Sequence, residues 1–218
     1  MWNPWWLIAA GLSMIASAGA ADTGAALLEA AAQGQAERVR TLLAQGAPLE
    51  ARDPQDNTPL LRATDGNHVA AARLLIEAGA DVNAQNRMQD SAYLLAGARG
   101  YNAILQLALA HGANLKSTNR YGGTALIPAC ERGHVETVDM LLRAGVDPDH
   151  VNRLGWTGLL EAILLSDGGP RHQAIVRRLI EAGADVNLAD GEGVTPLAHA
   201  RQRGQKDTER LLLAAGAR

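Results

Sequence analysis

The apolar positions of this chain fall into alternating short and longer runs. PLLRAT (residues 59–64) precedes a break at DGNH, and VAAARLLIEAG (residues 69–79) then runs to a glycine stop. Three- and four-residue spacing predicts two short amphipathic helices here rather than strands. The pattern then restarts. Asp53, Asn86, Asn119 and Asn152 open four successive units 33 residues apart, and five residues later come Thr58, Ser91, Thr124 and Thr157. A fixed period decides the architecture before any local assignment does, because each unit must bury its face against its neighbours. The hydroxyl residues are predicted helix N-caps, and Pro59 and Pro196 suit the first helical position, where a missing N–H does no harm. Gly79, Gly112, Gly145, Gly183 and Gly216 fall just after the second helix of their units, where a left-handed backbone ends it.

Residues 53–85 read DPQDNTPLLRATDGNHVAAARLLIEAGADVNAQ, and residues 190–218 read DGEGVTPLAHARQRGQKDTERLLLAAGAR. Both resemble ankyrin repeats, whose pattern is TPLHxAA, then GH, then LLLxxGADVNA. The resemblance covers roughly residues 20 to 218. It implies an all-α solenoid of about six helix-turn-helix units with β-hairpin-like turns projecting sideways, over about 22–52, 53–85, 86–118, 119–151, 152–189 and 190–218. The family's His after TPL is replaced throughout by Leu28, Leu61, Leu94, Ile127, Leu160 and Ala198. Packing is expected to take over the tie it would make to the hairpin Thr.

Ahead of the array, residues 1–21 (MWNPWWLIAAGLSMIASAGAA) hold no charged side chain, and Leu7 to Ala18 lead into an Ala18-Gly19-Ala20 cleavage pattern. This predicts a secretory leader cut near Ala20 and a periplasmic or secreted domain over residues 22–218. An uncleaved membrane anchor is the alternative; after cleavage no membrane insertion is expected. The chain thereby resembles bacterial exported ankyrin-repeat proteins, some of them linked to peroxide protection.

Composition narrows the partners. With 20 Lys and Arg against 23 Asp and Glu, the net charge of −3 gives no bias toward nucleic acid. The chain has no Phe and only 3% aromatic residues, so its core must be Ala, Leu, Val and Ile in close-packed helices. Cys130 is the only cysteine, which excludes an intramolecular disulfide and reads as a small buried residue. His68 and His134 occupy the repeat's GH position, and His111, His150 and His199 sit at unrelated places, so no metal ligand set emerges. No catalytic motif or cofactor fingerprint is present, and the chain reads as a non-enzyme with no cofactor.

Ankyrin arrays imply a protein partner held on the concave face by the hairpins and the ends of the first helices. The hairpin positions are Arg87-Met88, Arg120-Tyr121 and Arg153-Leu154-Gly155-Trp156; the helix ends are Arg99 and Arg132, with Arg203 in the last unit. At about 10 Å per repeat, the hairpin arginines are expected to form a ladder about 20 Å long. Arg87, Arg120 and Arg153, flanked by Met88, Tyr121 and Trp156, would suit an extended partner with carboxylates and some apolar surface. The alternative is that duplicated Asn-Arg pairs merely solvate the hairpins. An immunity-type neutralising role or a passive scaffold would use the same face.

The fifth unit breaks the count, with 38 residues from Asn152 to Asp190. Counting back from Gly183 places His172 in the regular GH position and the extra residues at Ser166–Pro170. This Gly-Gly turn is either tolerated slack or a lip beside the groove able to cradle an anion. The same count puts Arg178 where other units carry Leu74, Leu107, Met140 or Leu211, with Thr41 the other exception. It is expected to reach solvent or Asp167 rather than lie buried and unpaired.

Overall fold

The computed structural model describes residues 22–218; the predicted leader over residues 1–21 lies outside the described residues. Twelve helices form six pairs among them. Helix α1 covers 22–32, followed by α2 (Ala36–Ala44), α3 (Pro59–Asp65), α4 (Val69–Glu77), α5 (Ala92–Arg99) and α6 (Asn102–Ala110). The second half holds α7 (Leu126–Glu131), α8 (Val135–Ala144), α9 (Gly158–Leu164), α10 (Pro170–Glu181), α11 (Pro196–Gln202) and α12 (Lys206–Ala214). The inner row runs through α3, α5, α7, α9 and α11, and the outer row through α2, α4, α6, α8, α10 and α12. This is the solenoid that the 33-residue period predicts.

Thr58, Ser91, Thr157 and Thr195 each cap an inner helix, their side-chain oxygens accepting from the N–H three residues on. Thr124 departs from the expectation. Its carbonyl would start the helix by accepting from residue 128, but that residue is Pro128 and has no N–H. Helix α7 therefore begins later, at Leu126, and Thr124 Oγ1 is left buried without a partner. The outer helices end as expected on left-handed glycines, such as Gly145 at φ 94°. The turn after it is closed by Val146 N–H donating to Leu141 O at 3.1 Å.

The core is made of small side chains because the helices approach closely. A Cβ added to Gly97 on α5 would stand 2.7 Å from the Cβ of Ala125, at the start of the next inner helix. At the positions of the missing family His, Leu61, Leu94, Ile127 and Leu160 of the inner units are buried, as packing in place of that hydrogen bond requires, whereas Leu28 and Ala198 in the terminal units are only half-buried.

No strand is present among the described residues; the connections are turns closed by side chains. The residue opening each unit carries out the closure. Asn119 Oδ1 accepts from Tyr121 and Gly123 N–H, and Asn152 Oδ1 from Leu154 and Trp156 N–H. Asp53, Asn86 and Asp190 make the same pair of bonds. This Asx turn explains why the repeat opens on Asp or Asn.

In the fifth unit, His172 Nε2 lies 3.0 Å from Glu131 O, as His68 Nε2 lies 3.0 Å from Ala32 O, which fixes His172 in the regular position. The inserted turn is tied to the last unit. Buried Gln205 donates through Nε2 to Ile163 O and Ser166 O at 2.9 and 3.2 Å. The N–H groups of Gly168 and Gly169 are taken by Ser166 Oγ and Asp167 Oδ1. The turn is thus a structural splice, and these two N–H groups are engaged within it rather than open to an anion. Arg178 is exposed and paired, but with Glu181 at 3.4 Å and Asp139 at 3.9 Å rather than with Asp167.

Candidate functional site: a charged groove across three central units

The inner helices and turns of the third, fourth and fifth units enclose a groove of about 570 Å³. Its walls are the helix ends at Arg99 and Arg132 and the turns carrying Arg120, Tyr121 and Leu154; its floor reaches Glu161 on α9. Of the residues predicted from sequence, Arg99, Arg120, Tyr121 and Arg132 line it together. Arg87, Met88, Arg153 and Trp156 lie outside it, along the same row of turns. Met88 and Tyr121 are exposed apolar residues. Trp156, expected as an exposed anchor, is half-buried, and the exposed apolar residue of that turn is Leu154 at 58%.

The arginines are partly engaged within the chain. In the ladder, Arg87 Nε donates to Asp56 Oδ2 at 3.0 Å, and Arg153 Nη1 donates to Arg120 O at 2.6 Å. Arg120 stands 3.8 Å from Asp90 and stacks over the Tyr121 ring at 4.6 Å from its centroid. At the helix ends a second rung repeats. Arg99 donates to Asp65 O at 3.0 Å and pairs with Asp65 Oδ1 at 2.9 Å, while Arg132 donates to Ala98 O at 2.8 Å. Arg203 reaches Ser166 O at 3.4 Å. Exposed pairs of this kind are weak and readily exchanged for a partner's carboxylate.

The acids of the groove were not anticipated. Glu161 is only 6% exposed, and its Oε1 accepts from Asn152 Nδ2 at 2.8 Å. Burial raises its carboxyl to about 7, assisted by the charge of Glu131 and opposed by the Asn152 hydrogen bond and by Arg132. Asp90 is also raised by burial, against the nearby guanidinium groups of Arg120, Arg99 and Arg132. A sequence signal for Glu161 did exist. The residue nine after the unit's opener is Arg62, Leu95, Pro128, Glu161 and His199 in successive units. Where the opener is Asp, that residue is basic: Arg62 lies 3.9 Å from Asp53, and His199 2.7 Å from Asp190. Cys130, beside this floor, is fully buried, and burial together with the Glu161 charge pushes its thiol well above the ordinary range, away from reactivity.

The family model for ankyrin repeats in three copies matches residues 6–86 and 93–190, and the chain belongs to that family. Among solved structures it is similar to an ankyrin repeat domain from Acinetobacter baumannii AYE, at 57% identity and a TM-score of 0.86 over 88% of this chain and 98% of that one. The ankyrin repeat protein EF0377 is 41% identical with a TM-score of 0.84, covering 87% and 97%. The ankyrin repeat domain of Bcl-3, a member of the IkappaB protein family, is 29% identical with a TM-score of 0.79, covering 88% and 86%. The ankyrin repeat protein YahD of Escherichia coli (strain K12) is 55% identical over 58 residues, which span 27% of this chain and 29% of that protein. Ankyrin repeats are protein–protein interaction modules, generally scaffolds rather than catalysts. Among the described residues no helix is long and apolar enough to cross a membrane.

Proposed function

We propose that this protein acts outside the cytoplasm, in the bacterial envelope, by holding a protein partner on its concave face. The observation that carries the reading is the groove itself, where exposed Tyr121 and Leu154 stand among charged side chains on a rigid stack of inner helices. Aromatic and aliphatic anchors ringed by arginines suit an extended segment with carboxylates along the ladder. The leader-like residues 1–21 support export.

The test is affinity capture from the periplasm with the native protein and with an Arg87→Glu, Arg120→Glu, Arg153→Glu triple variant. Loss of a specific partner from the variant supports the reading; equal recovery of every partner refutes the ladder. The role within the envelope follows from what is captured. An oxidant-handling enzyme points to oxidative-stress protection, and a single tightly held toxin or secreted enzyme points to neutralisation. Several envelope proteins insensitive to single changes point to a passive scaffold.

A further inference from the structure

The two carboxylates on the groove floor lack the cation that the repeat supplies elsewhere. At the helix ends, Asp65 is answered by Arg99 thirty-four residues on, with Nη2 to Oδ1 at 2.9 Å. The equivalent of Asp65 two units later is Glu131, and thirty-four residues beyond it stands Leu165, which is exposed. The position nine after an acidic opener is basic twice, yet at Glu161 the pattern is inverted: the acid sits on the helix and the opener is neutral Asn152. Among the described residues, neither Glu131 nor Glu161 has a cation within ion-pair distance.

Glu161 is more than nine-tenths buried, and only its Oε1 is engaged. Glu161 lines the groove together with Glu131, and among the described residues its Oε1 is held by Asn152 alone. Leaving a buried carboxylate uncompensated is costly, and a cation arriving from outside removes much of that cost. Leu154 and Leu165, both exposed and both lining the groove, add the apolar surface that the methylenes of a long basic side chain cover.

From these relationships we infer that the groove receives a lysine or arginine side chain from an extended segment of the partner, its charged head set between Glu131 and Glu161 and its stem along Leu154 and Leu165. This rests on the interaction reading above and adds the chemistry of its central contact: a basic side chain in the middle, with the ladder left for carboxylates on either side. Glu161 must be ionised to serve. Glu131 resists that ionisation, whereas Arg132 and the Asn152 hydrogen bond favour it, so uptake strengthens as pH rises through about 7.

The test uses a phage-displayed library of random linear peptides, selected on the full chain at about pH 8, with fluorescence polarisation of the recovered peptides. Peptides enriched in Lys or Arg are expected, weakening about tenfold or more in Glu161→Gln and in Leu165→Arg. Glu161→Gln keeps an acceptor for Asn152, and Leu165→Arg supplies Glu131 with the rung that Asp65 has. Affinity is also expected to rise several-fold from about pH 6 to about pH 8 in the native protein only. Binders without basic enrichment, or basic binders indifferent to both variants, overturn the inference and leave the interaction reading standing. Recovery of no binder overturns this inference and the extended-segment form of that reading together.

Discussion

Asn152 donates through Nδ2 to Glu161 Oε1 at 2.8 Å, and that hydrogen bond reverses the polarity used elsewhere in the array. In the second and last units the opener is an aspartate answered by Arg62 or His199. In the fifth the opener is neutral, and the acid stands on the helix instead, at the floor of a groove. The opener still closes its own turn through Oδ1, so folding and site formation draw on different atoms of one side chain.

This relationship predicts the pH dependence of stability. A carboxyl whose folded pKa is raised, here from 4.5 to about 7, binds its proton more tightly in the folded state. Stability is therefore lost as pH rises from about 4.5 through about 7, then levels off. Glu161→Gln is expected to be more stable than the native protein by about 2–3 kcal/mol at pH 8, with the gap closing toward pH 4. Urea denaturation at the two pH values reads this directly, and equal gaps at both would contradict it.

Asn152→Asp faces two carboxylates across a hydrogen-bond distance and is expected to cost about 2–4 kcal/mol at pH 8. Adding Glu161→Arg recreates the Asp53–Arg62 arrangement and should restore most of the loss. A double-mutant cycle measured by thermal denaturation reports the coupling; simple additivity would refute it.

These two residues also mark what the sequence made legible. The period, the helix caps, the glycine stops and the place of His172 followed from spacing, because each depends on local backbone chemistry repeated at a fixed interval. Four groove residues, Arg99, Arg120, Tyr121 and Arg132, stand at positions that the resemblance to ankyrin repeats implies for a partner-binding face. Glu131 and Glu161 were missed because their meaning lies in a cation that is absent from a neighbouring unit, and that requires comparing positions 34 and nine residues apart. Trp156 is more covered than its place in the turn suggests, since a turn residue's exposure depends on packing that spacing does not encode.

Turn geometry gives a stabilising change. The same left-handed site holds Gly122, Gly155 and Gly193 at φ 74–80° in three units, but Asp56 and Gln89 in two others, with φ 62° and 59°. A side chain there carries strain that glycine avoids. Gln89→Gly is expected to stabilise by about 1 kcal/mol, raising Tm by about 2–4 °C, as read by calorimetry.

Close approach gives a destabilising change. With only 2.7 Å between a Cβ at residue 97 and the Ala125 Cβ, Gly97→Ala should force α5 and the start of α7 apart at a cost of about 1–3 kcal/mol. The double change Gly97→Ala, Ala125→Gly should recover part of it. Chemical denaturation of the three variants is the check.

The central claim is that the concave groove, not the outer helix row, holds the partner. A photo-crosslinking amino acid placed at Leu154 in the groove, and separately at Arg143 on outer helix α8, tests it in intact cells. A discrete covalent adduct with one protein from position 154 and none from position 143 is the predicted result. Adducts from position 143 alone would contradict the account.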